Sequence, residues 1–471
     1  MIQRLAQAIL STRVGRPMGV AAYHAVLELS AIALSSLEGV RSVAVTGSFA
    51  NADPGFAPGF SDLDLLLVVE PMSVADELRL RRALALRIDV LRSTVRIVRS
   101  VDVIDASDVD LIRRFSTAWS LELDERSRIV RGPALPGEPH HRSRERRRVV
   151  HAMAMLRRIQ KGLPRLIDAD RDSASTVRAA SRLLTDALLA FTGAGRTTTL
   201  PALATCARAR LDASSGDLVR SAIERPSTDG YLAASLAIVD RIAADLAETW
   251  TMTAPERSSG FEPTVTDEVR SVVRSLLDRG FASVVASTRD AGLLEPMLFA
   301  VTRESTDPRV VLESVRRTYA ETPSLRRSGY RWSDRPIVVT PAMLRVAFLF
   351  DPAPIAFDAL CHASALVAGD RLTGIGEPDP VTRTIAIDTT RAWSLYRTRS
   401  RRFHTSDPTE ARDALEVELL HRILPIRLRG ESGSIRFAPA VRDRSRSEAS
   451  LIGELRHELD LIRADLASRP G

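Results

Sequence analysis

Lysine is almost missing from this chain. Of its 66 basic residues only Lys161 is lysine, so arginine carries nearly all the positive charge, a bias of the kind that genomic base composition produces. Aromatic residues make up 5% of the sequence, too few for a platform on which single-stranded bases stack. The two cysteines, Cys206 and Cys361, are far apart and at neither disulfide-framework nor metal-ligand spacing, which suits a reducing cytoplasm. The N-terminus, MIQRLAQAILSTRVG, has one early arginine and no apolar core of signal-peptide length. The most apolar later window, Ala347 to Val367, is interrupted by Asp351, Pro352, Pro354 and Asp358 and cannot span a bilayer. No internal repeat is present. These absences set aside secreted, membrane-spanning and base-stacking classes and leave a globular cytoplasmic protein as the expectation.

What is present is a chain of 471 residues, 45% hydrophobic, with a net charge of +7 and a mean hydropathy near zero. That length holds two or three domains, each with its own core. The charge permits an anionic substrate such as a nucleotide or RNA without requiring a nucleic acid. Pro/Gly-rich or polar stretches at 132–141 (GPALPGEPHH) and 251–264 (TMTAPERSSGFEPT) divide the chain into 1–135, 142–250 and 265–471. His140 and His141 have no partner at ligand spacing and read as loop.

The densest chemistry lies at VAVTGSFANADPGFAPGFSDLDLLLVV, Val43 to Val69. An apolar strand, Val43 to Val45, runs into Gly47-Ser48. A 13-residue loop with two prolines and two glycines follows. Asp62-Leu63-Asp64 then opens a second apolar strand, Leu65 to Val69. Residues i and i+2 of a strand share a face, so Asp62 and Asp64 stand together at the mouth of a strand that continues as core. Two carboxylates that close repel unless a cation lies between them, and an all-oxygen pair suits Mg²⁺ with substrate phosphates. Gly47 lets a phosphate approach the backbone, and Ser48 offers a hydroxyl and an N–H.

This stretch resembles the signature of the DNA polymerase β-like nucleotidyltransferase superfamily: a hydrophobic residue, Gly-Ser, a spacer of about a dozen residues, then Asp-hydrophobic-Asp. Ser61 before Asp62 fits the family's Ser-Asp-x-Asp form. A helix over 19–38 leading into the strand at Val43 is the family's usual order, with His24 on it as a packing residue. The resemblance covers residues 20–132. It implies an α+β fold class, a small mixed-sheet nucleotidyltransferase domain followed by a mostly α-helical region. It also implies a third carboxylate on a later strand. Thr94 to Ile104 reads as that strand, and Asp102 fits the family's Val-Asp-hydrophobic-hydrophobic form; Asp89 is a rival in a helical context. A polar turn, a helix with Arg113 and Arg114, and a strand at 128–130 follow.

The activity implied is Mg²⁺-dependent transfer of a nucleoside monophosphate, AMP from ATP by default, to a hydroxyl of a small molecule with release of pyrophosphate. Asp62, Asp64 and Asp102 would hold two metal ions, and Gly47, Ser48 and Ser61 would bind the nucleotide. Lys161 and the cluster Arg144, Arg146, Arg147 and Arg148 are further candidates for the triphosphate, although charge runs more often face water. Two other readings stay open: nucleotidylation of tRNA or a protein side chain, which the arginine clusters keep alive, and a non-catalytic nucleotide-binding regulator.

Residues 143–250 read as helical, with segments at 175–192, 200–211, 216–224 and 229–250. Residues 265–320 read mainly as helix broken by Pro296 and Pro308, and Pro341 to Ala368 as helix around its prolines. Arg335 to Thr340 and Thr384 to Asp388 read as strands. Arg399, Arg401 and Arg402 form a basic cluster beside His404. Glu410 to Ile423 and Leu451 to Leu466 read as helices, the last with an apolar stripe.

Overall fold

A computed structural model describes residues 12, 15–50, 63–94, 97–115, 127–137, 143–168, 173–193, 199–253, 267–287, 298–303, 307–321, 337–350, 365–369, 375–400, 407–424, 426–427 and 446–469. In chain order the first elements are α1 (Gly15–Ser35), β1 (Val40–Thr46), β2 (Leu63–Val69), α2 (Val74–Thr94), β3 (Val98–Asp105), α3 (Val109–Phe115) and β4 (Arg128–Arg131). Then come α4 (Arg144–Asp168), α5 (Ala174–Thr192), α6 (Leu200–Arg208), α7 (Ala213–Glu224), α8 (Thr228–Ala247), β5 (Thr251–Thr253), α9 (Asp267–Asp278), β6 (Ser283–Ser287), β7 (Leu298–Val301) and α10 (Pro308–Glu321). The chain continues through β8 (Ile337–Val339), α11 (Pro341–Arg345), β9 (Ala365–Gly369), β10 (Ile375–Glu377), α12 (Pro380–Ser400), α13 (Pro408–Glu418) and α14 (Glu448–Ser468). The fold class is α+β.

The described elements belong to two compact units. The first takes residues 1–147, 388–433 and 441–471; the second takes 148–387 and 434–440. This grouping differs from the division at 135/142 and 250/265, because the C-terminal helices build the core of the first unit.

That core surrounds a four-stranded sheet of order β3-β2-β1-β4. β1 runs antiparallel to β2 and β4, and β2 parallel to β3. Apart from Asp64 every residue of β2 is buried, as expected of a strand covered on both faces. Leu63, Leu65, Leu67 and Val69 point to one side, against Tyr23, Leu27, Ala31 and Leu34 of α1 and Leu80, Leu84 and Ile88 of α2. The i, i+4, i+8, i+11 spacing on α1 is the stripe a core-facing helix needs. By length and composition α1 is also apolar enough to cross a membrane. α2 starts at Ser73, whose Oγ accepts from Asp76 N at 3.2 Å, as an N-cap should. Leu66 and Val68 point to the other side, where Ile104, Val109, Ile112 and Phe115 meet the stripe of α14, Leu451, Ile452, Leu455, Leu459, Ile462 and Leu466.

In the second unit α8 is buried almost all round, the signature of a helix surrounded by others. A four-stranded sheet of order β8-β7-β6-β9 and a two-stranded ribbon of β5 and β10 belong to the same unit. The described residues beyond 265 are mostly helical, as expected, but the reading of 265–320 needs one correction: the strands β6 and β7 interrupt the helix there. These are short apolar runs, and such runs cannot be told from buried helix by periodicity. β8 falls inside the strand expected at 335–340. Helix after Pro341 extends only to Arg345, and β9 occupies 365–369; residues 351–364 lie outside the described ones. The strand expected at Thr384 to Asp388 is helix, inside α12. Asp379 caps that helix by accepting from Val381 N at 3.0 Å and Thr382 N at 2.9 Å, and Pro380 holds its first position. The start signal overrides the β-branched composition of TIAID.

Candidate active site on the first sheet

β1 ends at Thr46, and Gly47 opens a short 3-10 turn, Gly47–Phe49. Gly47 adopts a φ of +77°, the left-handed region that only glycine enters without cost. A Cβ at this position would lie 2.8 Å from Asp64 Oδ2. The glycine thus does two things: it reverses the chain, and it leaves the space that the Asp64 carboxylate occupies. Phe49, two residues on, is buried and anchors the turn against α1, its ring 5.6 Å from Tyr23 and 4.9 Å from His24. His24 packs on this ring, as a helix-borne packing residue would.

The register explains why Asp64 meets that turn. Thr46 is opposite Asp64 in the antiparallel β1–β2 pair. In the parallel β2–β3 pair, Asp64 is opposite Ser100 and Leu66 is opposite Asp102. A register shift between Leu63 and Asp64 lets Val98, Val101 and Val103 all join the core of α1 and α2. Asp102 lies between Val101 and Val103 and so takes the opposite face, with Ile104; Asp64, between Leu63 and Leu65, takes that same face with Leu66. Asp64 and Asp102 are therefore one diagonal step apart on one side of the sheet, on adjacent strands, with β3 at its edge. Both are half-buried.

The remaining expected site residues distribute as follows. Ser48 belongs to the 3-10 turn. Ser61 and Asp62 lie outside the described residues. Asp89 is on α2, in the helical context read for it. Lys161 is on α4, in the part of that helix assigned to the second unit, and Arg401, Arg402 and His404 lie outside the described residues. Among the described residues no group of three or more His, Cys, Asp or Glu is arranged to hold a metal ion; Asp62, the companion expected for Asp64 and Asp102, is not among them. The donor set in hand is two half-buried carboxylates with a left-handed glycine turn against one of them, all-oxygen chemistry that fits a hard divalent cation such as Mg²⁺.

An ionic scaffold that local spacing does not reveal supports this sheet. Arg463 on α14 donates from Nε to Asp108 Oδ1 at 2.6 Å and from Nη2 to Asp105 Oδ2 at 2.9 Å. Asp108 and Asp105 are buried at the end of the strand that carries Asp102. These hydrogen bonds and charges raise the Arg463 guanidinium above its ordinary value against a burial effect that opposes them. On α2, Arg81 pairs with Glu77, both buried. Arg463 and Asp105 are separated by 358 residues in sequence, so no local pattern could have linked them.

The chain matches no protein-family model and no curated protein.

Proposed function

We propose that the first unit is a Mg²⁺-dependent nucleotidyltransferase that moves a nucleoside monophosphate, AMP from ATP by default, onto a hydroxyl of a small-molecule acceptor and releases pyrophosphate. The observation that carries this reading is the placement of Asp64 and Asp102 on one face of a mixed sheet, with the left-handed Gly47 turn against Asp64. A hairpin loop with no chemical role needs neither a glycine shaped around a carboxylate nor a second carboxylate on the next strand.

Asp62, Asp64 and Asp102 would hold the metal ions, which when bound neutralise phosphate charge and acidify the acceptor hydroxyl. The chain's own residues do the rest. The backbone at Gly47, free of a Cβ, admits a phosphate oxygen close to the strand end. Ser48 donates to that oxygen. Asp102, on the edge strand, accepts the proton of the attacking hydroxyl. The scarcity of aromatic residues favours a small acceptor over an RNA strand.

The reading is tested by nucleotide binding. Titration of ATP into the full chain should give saturable binding that needs Mg²⁺ and that falls by at least tenfold in Asp64→Asn and in Asp102→Asn. Equal affinity with and without Mg²⁺, or in both variants, would count against it.

A further inference from the structure

The first unit holds a second electrostatic cluster that includes none of the strand residues above. Arg114 lies in the last turn of α3 and Arg146 in the first turn of α4, and both guanidiniums lie over one aromatic ring: their Cζ atoms are 5.2 and 5.1 Å from the centroid of Phe115. Arg146 is 8% exposed. Among the described residues the carboxylate paired with it is Asp388, whose Oδ2 is 4.0 Å from Nη2, and its Nη1 is buried with no hydrogen-bond partner there. Asp388 is already engaged by Arg469, whose Nη1 donates to Oδ1 at 2.8 Å. Arg391, one turn along α12 and 3% exposed, pairs with Asp465 and leaves its Nε buried with no hydrogen-bond partner among the described residues. Among the described residues, three guanidiniums (Arg146, Arg391, Arg469) thus share two carboxylates (Asp388, Asp465), while Arg114 Nη2 donates to the Arg469 backbone carbonyl at 2.5 Å and has no carboxylate partner among them.

A buried donor without an acceptor is destabilising, and two cations on one ring repel. Burial pulls the Arg146 guanidinium below its ordinary value; Asp388 works against that and Arg114 adds to it. The positive end of α4 raises the local potential further, since Arg146 lies in that helix's first turn, where Ser143 Oγ accepts from its backbone N–H at 3.1 Å. Each of these features favours an anion. Guanidinium forks arriving from two separate helices offer donors in more than one plane, which a tetrahedral oxyanion satisfies better than a planar carboxylate.

We infer that Arg114 and Arg146, over Phe115 and beside the first turn of α4, form a binding site for a phosphate-class oxyanion. This goes beyond the nucleotidyl-transfer reading and does not depend on it.

The test uses the full chain and inorganic phosphate, pyrophosphate and acetate, each titrated by calorimetry at constant ionic strength held with chloride. Phosphate or pyrophosphate should bind saturably, and acetate at least tenfold more weakly. Arg146→Gln and Arg114→Gln should each weaken phosphate binding tenfold or more. Asp388→Asn, which removes the competing carboxylate, should tighten it several-fold, an outcome that a purely structural role for the cluster does not produce. Asp64→Asn should leave phosphate affinity unchanged. Should Arg146→Gln fail to fold, Arg114→Gln and Asp388→Asn decide. The inference is overturned if phosphate does not bind saturably, if acetate binds equally well, if the arginine variants keep wild-type affinity, if Asp388→Asn binds no tighter, or if Asp64→Asn abolishes phosphate binding.

Discussion

Single residues carry the candidate site through shape as much as through charge. Gly47 shows this: at φ +77° an alanine is strained, and its Cβ would meet Asp64 Oδ2 at 2.8 Å. Gly47→Ala should cost about 1–2 kcal/mol of stability from the backbone alone. It should lower nucleotide affinity further by displacing the carboxylate; chemical denaturation and ATP titration read the two effects separately. Arg463 acts at the same scale. Arg463→Gln leaves Asp105 and Asp108 buried without their guanidinium and should cost about 3–5 kcal/mol, measured as a fall in the denaturation midpoint of the full chain. The two residues differ in how far sequence could reveal them. The Gly-Ser turn and Asp64 are a local pattern, written within 20 residues, and Asp102 follows from its place on the next strand. The Arg463 clamp and the Phe115–Arg146 stack join segments remote in sequence, so only the folded chain brings them together.

At the scale of elements, local chemistry was readable wherever it agreed with packing. The helices at 174–192 and 213–224 begin at Ser173 and Asp212, whose side chains accept from Thr176 N and Ser215 N, and both fell close to their expected bounds. The segment Thr384 to Asp388 departs from its expected strand because its β-branched residues favour strand while the cap at Asp379 and the burial of Ala386, Thr389 and Ala392 favour helix. β6 and β7 are not legible in the sequence because apolar runs as short as 284–286 and Leu298–Val301 carry no distinguishing period.

An element contact also makes a pH prediction. Asp240 on α8 accepts from Thr340 Oγ1, and that hydroxyl in turn caps α11 by accepting from Met343 N at 3.1 Å. Burial raises the Asp240 carboxyl above its ordinary value of 3.8, against the lowering effects of Thr340 and Arg345. A carboxyl raised in the folded state contributes stability that is full below the unfolded value and is lost as pH rises through the folded value. The wild type should therefore gain stability relative to Asp240→Asn as pH falls from neutrality toward 3.8. Melting temperatures of the two chains across that range check this, and parallel curves would contradict it.

For the whole molecule, the first unit is completed by residues distant in sequence. The stripe of α14 packs against the face of the sheet that also bears Asp64 and Asp102, so the C-terminal helix is part of the domain that sequence alone bounded at residue 135. Ending the chain at residue 441 should expose Leu66, Val68, Ile104 and Phe115 and give an aggregating product rather than a shorter folded chain, as judged by size-exclusion chromatography and circular dichroism. Leu459→Ala, a milder change in the same core, should cost about 2–5 kcal/mol while leaving the chain monodisperse. The central claim, that one face of this sheet performs nucleotidyl transfer, is tested most directly by pyrophosphate release. Wild type, Asp64→Asn and Asp102→Asn would each be incubated with Mg²⁺, each of the four ribonucleoside triphosphates and a small-molecule extract. The account predicts release by the wild type with at least one triphosphate and a loss of a hundredfold or more in both variants at unchanged melting temperature. Release that persists in the variants, or no release with any triphosphate, would contradict it.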